Sequence, residues 1–535
     1  MTILSARLLG VSMAALLALS ACASTQTYTG SARVLPAELG PVAGGVQYDM
    51  VMNTSSASAS PTPFTEKYPD TPQNGVKLVA QEPVSTFSID VDTASYANVR
   101  RFLHDGQLPP RDAVRIEELV NYFDYGYARP ASAKTPFRAT TALVASPWSK
   151  DRQILHIGLQ GYELPRTSQP PLNLVLLVDT SGSMDSEDKL PLAKKAMNLL
   201  VDQLGKDDHV SIVAYAGSAG EVLAPTDGGQ KTKIRSALDA LAAGGSTAGG
   251  EGLALAYRLA EENFNKEAVN RVILMTDGDF NVGIDDPEKL KDFIAEKRKS
   301  GVYLSVYGFG RGNYNDVMMQ SLAQTGNGTA AYIDTMQEAR KLLHDDLAGS
   351  LFPIADDVKI QIEFNPAFVA EYRLIGYETR LLAREDFNND KVDAGEVGSG
   401  VAVTALYEIT PVGAKLSSDP LRYQDKGKAP RKGDELAYLK LRYKEPGGTT
   451  SKLIGQAISS DALTTIDAAP EATRWAVAVA GFGERLRGSP WVSDSFGLDE
   501  IAALAQKARG EDEFGLRAEF VQLVRAAKDA RSLNE

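Results

Sequence analysis

Between Pro171 and about Leu351 the chain alternates short, almost wholly apolar runs with amphipathic stretches, and this alternation limits the fold more than any other feature. Leu172–Val178, Val210–Ala214, Arg271–Met275 and Val302–Tyr307 have strand length and almost no polar interruption. Runs of this kind belong to strands buried on both faces, so a parallel sheet covered by helices on each side is expected. The helices are expected at Leu190–Leu204, Lys231–Leu241, Gly252–Asn263, Pro287–Lys299, Asn313–Gln324 and Met336–Leu347. The fold class is therefore α/β, a Rossmann-like doubly wound sheet.

The flanks follow other patterns. Thr86–Val91, Phe137–Ala145 and Gln153–Leu159 have strand composition, and Thr93–His104 and Arg111–Phe123 have helical periodicity on either side of the breaker Pro109-Pro110. Beyond Phe352 the alternation becomes that of half-buried strands: Val358–Phe364, Ala370–Gly376, Ala402–Ile409 and Leu436–Tyr443 predict an antiparallel sandwich. Glu471–Arg487, Leu498–Ala508 and Arg517–Ser532 predict a helical end. The division is then 1–21 leader, 22–84 linker, 85–170 α+β domain, 171–351 α/β domain, 352–469 β-rich domain and 470–535 helical region. The order also suggests that the α/β domain is inserted into a β-rich unit, with strands before Pro171 pairing with strands after Phe352.

Met1–Ala21 reads as a signal peptide, with Arg7 ahead of an apolar run from Leu8 to Leu19. That run is too short to span a bilayer, which takes about 20 helical residues. Leu19-Ser20-Ala21-Cys22 resembles a bacterial lipobox, so Cys22 is expected to carry lipid and hold the chain at a membrane. Ala23, where inner-membrane retention signals place Asp, points to the outer membrane of the bacterial envelope. From Ala23 to about Gln81 the chain is rich in Ser, Thr, Pro, Ala and Gly and reads as a flexible spacer.

Cys22 is the single cysteine, and the four histidines are scattered, so zinc or Cys–His chemistry lacks ligands. A formal charge of -13 disfavours nucleic acid as a partner and suits metal cations or basic protein surfaces.

One motif carries chemistry. Asp179-Thr180-Ser181-Gly182-Ser183 follows the strand Leu172–Val178 directly; Thr247 lies in the glycine-rich run Gly244–Gly250; Asp277 follows the strand ending at Met275. Alone, Asp-Thr-Ser-Gly-Ser is also a good turn and helix cap. In an open α/β sheet, however, ligands gather beyond the carboxyl ends of the strands, where these three segments would meet. Hydroxyl and carboxylate oxygens select a hard divalent cation, Mg²⁺ first, with Mn²⁺ or Ca²⁺ as alternatives.

This constellation resembles the metal-ion-dependent adhesion site of von Willebrand factor A (VWA) domains. The resemblance implies that Ser181, Ser183 and Thr247 touch the metal directly, while Asp179 and Asp277 act through ordered water. It also implies a free coordination position that accepts an acidic side chain of a protein partner. Phe87–Tyr96, Val114–Phe123, Asp386–Glu396 and the helical end resemble YfbK-like VWA lipoproteins, so the resemblance runs from about Ser85 to the end.

Asp386, Asn388, Asp390, Asp393 and Glu396 form a second candidate cation loop, which departs from an EF-hand at Lys391 and Val397. Asp90 and Asp92 read as turn or cap residues. Ser186-Glu187-Asp188-Lys189 fits S-x-x-K without its companion motifs and reads as a solvated helix start. The expected function is metal-mediated binding of a protein partner at the envelope, without catalysis. A structural scaffold and a metal-assisted hydrolase are the alternatives.

Overall fold

The computed structural model describes residues 65–89, 92–247, 249–278, 287–392, 394–417 and 433–531. Cys22, most of the spacer, Asp90 and Asp393 lie outside the described residues.

The apolar strands assemble as their composition requires. Their order across the sheet is Ala330–Ile333, Val302–Phe309, Val269–Thr276, Leu172–Asp179, His209–Tyr215 and Ala219–Asp227. The first five are parallel and the last pair is antiparallel. Strand periodicity sorts the side chains of Leu172–Asp179 between two helix layers. Leu174, Leu176 and Val178 pack with Met197 and Leu200 of helix Leu190–Gln203. Val175 and Leu177 face the other way, toward Leu253 and Ala256 of helix Gly249–Glu262 and Leu322 of helix Asp316–Thr325. Ala219–Asp227 escaped the sequence reading because this edge strand is mostly exposed and has no apolar face to advertise it.

The segments 85–170 and 352–469 do not form separate successive domains. Val84–Ser88 pairs with Pro353–Phe364, and Gln153–Gly161 pairs with Ala402–Pro411. One sheet runs Lys77–Leu78, Val369–Ile375, Ala402–Pro411, Gln153–Gly161, Phe137–Ala145, Leu463–Thr464. The other sets Pro353–Phe364 beside Glu435–Lys444, which is followed by Ser451–Ser459. Leu155, Ile157, Tyr372 and Tyr407 of the first sheet share one core with Ile360, Ile362, Leu439 and Leu441 of the second. The α/β domain is thus an insertion between halves of a sandwich, as the strand order suggested.

The predicted helix Arg111–Phe123 is broken. A 3-10 turn at Arg111–Ala113 and a short helix at Ile116–Val120 are separated by extended backbone at Val114 and Arg115. The break directs Arg115 into the interior, where its guanidinium pairs with Glu118 and, at 2.6 Å, with Asp316 of the α/β domain. Arg100 likewise leaves helix Ala94–His104 to meet Asp334, Glu338 at 2.8 Å and Tyr122 at 2.9 Å. These buried pairs tie the flanking helices to the α/β domain in one orientation. Guanidinium and carboxylate are expensive to bury apart and need this geometry to be held together.

The terminal helices Glu471–Leu486, Leu498–Lys507 and Leu516–Asp529 close over Ile116–Val120. Trp475 is fully buried, with Phe123 and Phe520 edge-on at 5.1 and 5.2 Å. Among the described residues no helix is long and apolar enough to cross a membrane.

Candidate metal centre

Val178 and Met275 are register partners in adjacent parallel strands, so Asp179 and Asp277 leave the sheet side by side at its carboxyl end. Asp179 is fully buried. Its Oδ1 accepts the Ser181 backbone N–H at 2.9 Å, and its Oδ2 accepts the Tyr215 and Thr276 hydroxyls at 3.1 Å each. Burial raises its pKa above the ordinary carboxylate value, and the Asp277 charge adds to this against the hydrogen bonds from Ser181 and Tyr215.

The Ser loop and the Thr loop are knitted by backbone. Gly182 N–H donates to Gly245 O at 3.1 Å, and Gly244 N–H donates to Thr180 O at 2.8 Å. Gly245 has φ +85°, and a Cβ there would press on the Gly217 backbone, so this contact needs glycine. Met184, buried in the core, anchors the turn Gly182–Asp185. Ser181 is buried, Ser183 exposed and Thr247 half-buried. The Ser181 and Ser183 hydroxyl oxygens are 3.1 Å apart.

Asp277 is held differently. Its Oδ2 accepts the Lys189 ammonium at 2.9 Å, and Asn313 and Ser183 also bond this carboxylate. Burial alone would raise its pKa, but Lys189, Asn313 and Ser183 bring it below the ordinary value. The sequence reading of Lys189 as part of a solvated helix start is therefore corrected: it is only 7% exposed. Gly310, at φ +74°, leaves the space through which the Lys189 chain passes. Asn313 carried no recognisable pattern in the sequence, and the S-x-x-K fit of Lys189 gave no sign of its pairing with Asp277. Tyr215 could have been found, since it ends the neighbouring strand in register with Asp179.

This donor set fits a small hard cation. Adjacent ligands of an octahedral ion with bonds of about 2.1 Å are separated by about 3 Å, the spacing that the two serine hydroxyls already have. Two carboxylates supply charge beside them, partly offset by Lys189. Among the described residues no three His, Cys, Asp or Glu side chains converge as a metal cluster, so any cation held here relies on hydroxyl ligands.

The second candidate loop is tied down by protein cations. Lys359 Nζ donates to the carbonyls of Asp386 and Asn389 at 3.2 and 2.6 Å, and Lys444 Nζ to that of Asp390 at 2.9 Å. The Asp390 carboxylate accepts Arg442 at 3.0 Å and Ser451 at 2.8 Å. Asp386 accepts the Ala383 N–H, and Glu396 accepts Asn327 at 2.7 Å. Asn388 ends the short 3-10 turn Arg384–Asn388. Lysine and arginine thus hold three of the loop's carbonyls and the Asp390 carboxylate, and the Asp386 and Glu396 carboxylates accept other protein donors.

Asp92 is a crosslink: it accepts Ala330 N–H and Arg380, each at 2.9 Å. His156 is buried between the hydroxyls of Tyr127 and Thr473, both at 2.7 Å, consistent with a structural role.

Comparison with known proteins gives a consistent picture. Residues 173–345 match the von Willebrand factor type A domain, residues 62–156 a von Willebrand factor family, and residues 349–530 the family described as "Uncharacterized protein YfbK, C-terminal". YfbK of Escherichia coli K12 is 46% identical over 481 residues, covering 88% of this chain and 83% of its own length. Protein sll0103 of Synechocystis is 32% identical over 32% of this chain and 39% of its own length. Among solved structures, a von Willebrand factor type A protein from Catenulispora acidiphila covers 76% of this chain and 91% of its own, at 18% identity and a TM-score of 0.42. Similarity to YfbK over 88% of this chain, together with the family matches on either side of the α/β domain and within it, establishes that the chain belongs to the YfbK family of VWA-domain proteins.

Proposed function

We propose that this protein binds a protein partner through a divalent cation, Mg²⁺ foremost, held at Ser181, Ser183 and Thr247 with Asp179 and Asp277 behind them. The observation that carries the reading is the paired Ser181 and Ser183 hydroxyls at 3.1 Å, set between two carboxylates whose positions are fixed from outside. Tyr215 and Thr276 orient Asp179, and Lys189 and Asn313 orient Asp277. The cation would supply a Lewis-acidic position for a carboxylate oxygen of the partner. Neutral hydroxyl ligands keep that position electrophilic. VWA domains commonly serve interaction rather than catalysis, and binding is the reading adopted.

Lipidation at Cys22 would tether the protein to the bacterial envelope, at the outer membrane, with the Ser/Pro-rich spacer setting its reach. Isothermal titration with Mg²⁺ and Mn²⁺ tests the site: the parent should bind one ion per chain and Asp179→Ala should lose it. Equal binding by the two proteins would refute the assignment. A scaffold role has one observation in its favour, the buried pairs of Arg100 and Arg115 that fix the α/β domain to its flanks. It predicts that metal removal lowers the melting temperature while partner capture persists; loss of capture on metal removal supports the adhesive reading.

A further inference from the structure

Eight arginines are buried among the described residues: Arg100, Arg101, Arg115, Arg271, Arg373, Arg380, Arg487 and Arg517. Seven have a carboxylate at ion-pair distance: Asp334, Glu66, Asp316, Glu484, Asp92, Glu378 and Glu471, respectively. Arg271 alone has none among the described residues. It is 2% exposed; its Nη1 donates to Ser305 Oγ at 2.7 Å, and its Nε has no hydrogen-bond partner. The Tyr303 ring, 5.7 Å away, is its other neighbour of note. A buried guanidinium satisfied only by a hydroxyl and a ring face is costly, and that cost falls when an anion accepts its free donors.

Arg271 lines a cavity of about 280 Å³ between the α/β domain and the sandwich. Gln324, Asn327, Thr329, Ser350 and Arg380 also line it, so most of its functional groups are polar. Glu396 reaches the same cavity, but its carboxylate accepts from Asn327 at 2.7 Å, and Asn327 Oδ1 accepts from Arg298 at 2.7 Å. Arg271 is the third residue of strand Val269–Thr276, whereas Asp277 follows the last. The cavity therefore opens at the amino-terminal end of the sheet, opposite the candidate metal centre.

We infer that this cavity is a binding site for a small oxyanion, a carboxylate or a phosphate, whose oxygens are received by the Arg271 guanidinium. The planar fork of arginine suits either group. The volume lies at the small end of ligand pockets, so the ligand is a metabolite-sized acid rather than a peptide. The site does not depend on the metal reading.

The test uses the full chain in Tris chloride freed of divalent metal on a chelating resin, so that no metal-bridged carboxylate contributes. Inorganic phosphate and succinate are titrated separately by calorimetry and by thermal denaturation, against sodium chloride of equal ionic strength. Saturable binding of at least one, with a matching rise in melting temperature, is expected; the responding arm tells phosphate from carboxylate. Arg271→Gln and Arg271→Lys should each weaken that binding about tenfold or more, with circular dichroism reporting whether they fold. Absence of saturable binding of both probes by the parent overturns the inference, whatever the variants do. Unchanged affinity in a folded Arg271 variant overturns it as well.

Discussion

Glu117 offers a sharp test of the packing around the short helix Ile116–Val120. Its carboxyl is buried, with one oxygen, Oε2, lacking any hydrogen-bond partner, and it faces Gly376, where a Cβ would meet both its backbone and that oxygen. Burial, then the nearby Glu378 and Glu118 charges, push its pKa up from 4.5 to about 7. A carboxyl whose pKa rises on folding contributes fully below its unfolded value near 4.5 and loses that contribution as pH rises through about 7. The interval corresponds to about 3 kcal/mol, an upper figure because neighbouring carboxyls share the titration. Glu117→Gln keeps the shape and cannot ionise. Urea unfolding of both proteins from pH 4 to 8.5 should therefore show little difference at the acid end. The variant should become the more stable by about 2–3 kcal/mol above pH 7. A pH-independent difference, or a variant less stable at pH 8, would refute the reasoning.

Three further outcomes follow from the same structure. His156, whose pKa burial pushes down from 6.5 to about 4, contributes stability that is present above pH 6.5 and lost as pH falls through 4. His156→Gln should flatten that acid-side slope in denaturant titrations. Lys189→Met leaves Asp277 buried without its cation, so the metal-free melting temperature should fall while the rise on adding Mg²⁺ becomes larger than in the parent. Equal Mg²⁺ responses would argue against a cation beside Asp277. Trp475→Ala, emptying the space between Phe123 and Phe520, should cost about 3–5 kcal/mol in urea unfolding.

The α/β layer was legible because each of its central strands is buried on both faces, which leaves short apolar runs alternating with amphipathic helices. The meeting of the loops that carry Asp179, Ser181, Ser183, Thr247 and Asp277 was legible because a parallel sheet delivers its strand ends to one side. The edge strands Ala219–Asp227 and Ser451–Ser459 were not, since strands exposed along most of their length bury no regular apolar face. The sharing of sheets by 85–170 and 352–469 was suggested by the order of the strands, but which strand pairs with which across the inserted domain is a long-range choice on which local composition is silent. Arg115 and Lys189 illustrate a third limit. Both are long charged side chains in helical surroundings, where solvent exposure is the ordinary outcome, and both turn inward to carboxylates more than eighty residues away.

The central claim is that Ser181 and Ser183 with Thr247, Asp179 and Asp277 hold one hard divalent cation. Electron paramagnetic resonance of Mn²⁺ titrated into the chain counts free ion directly and needs no partner. The account predicts one bound Mn²⁺ per chain, displaced by Mg²⁺, and at least tenfold weaker binding in Ser181→Ala/Ser183→Ala with the metal-free fold retained. Binding of Mn²⁺ by that double variant with the affinity of the parent would contradict it.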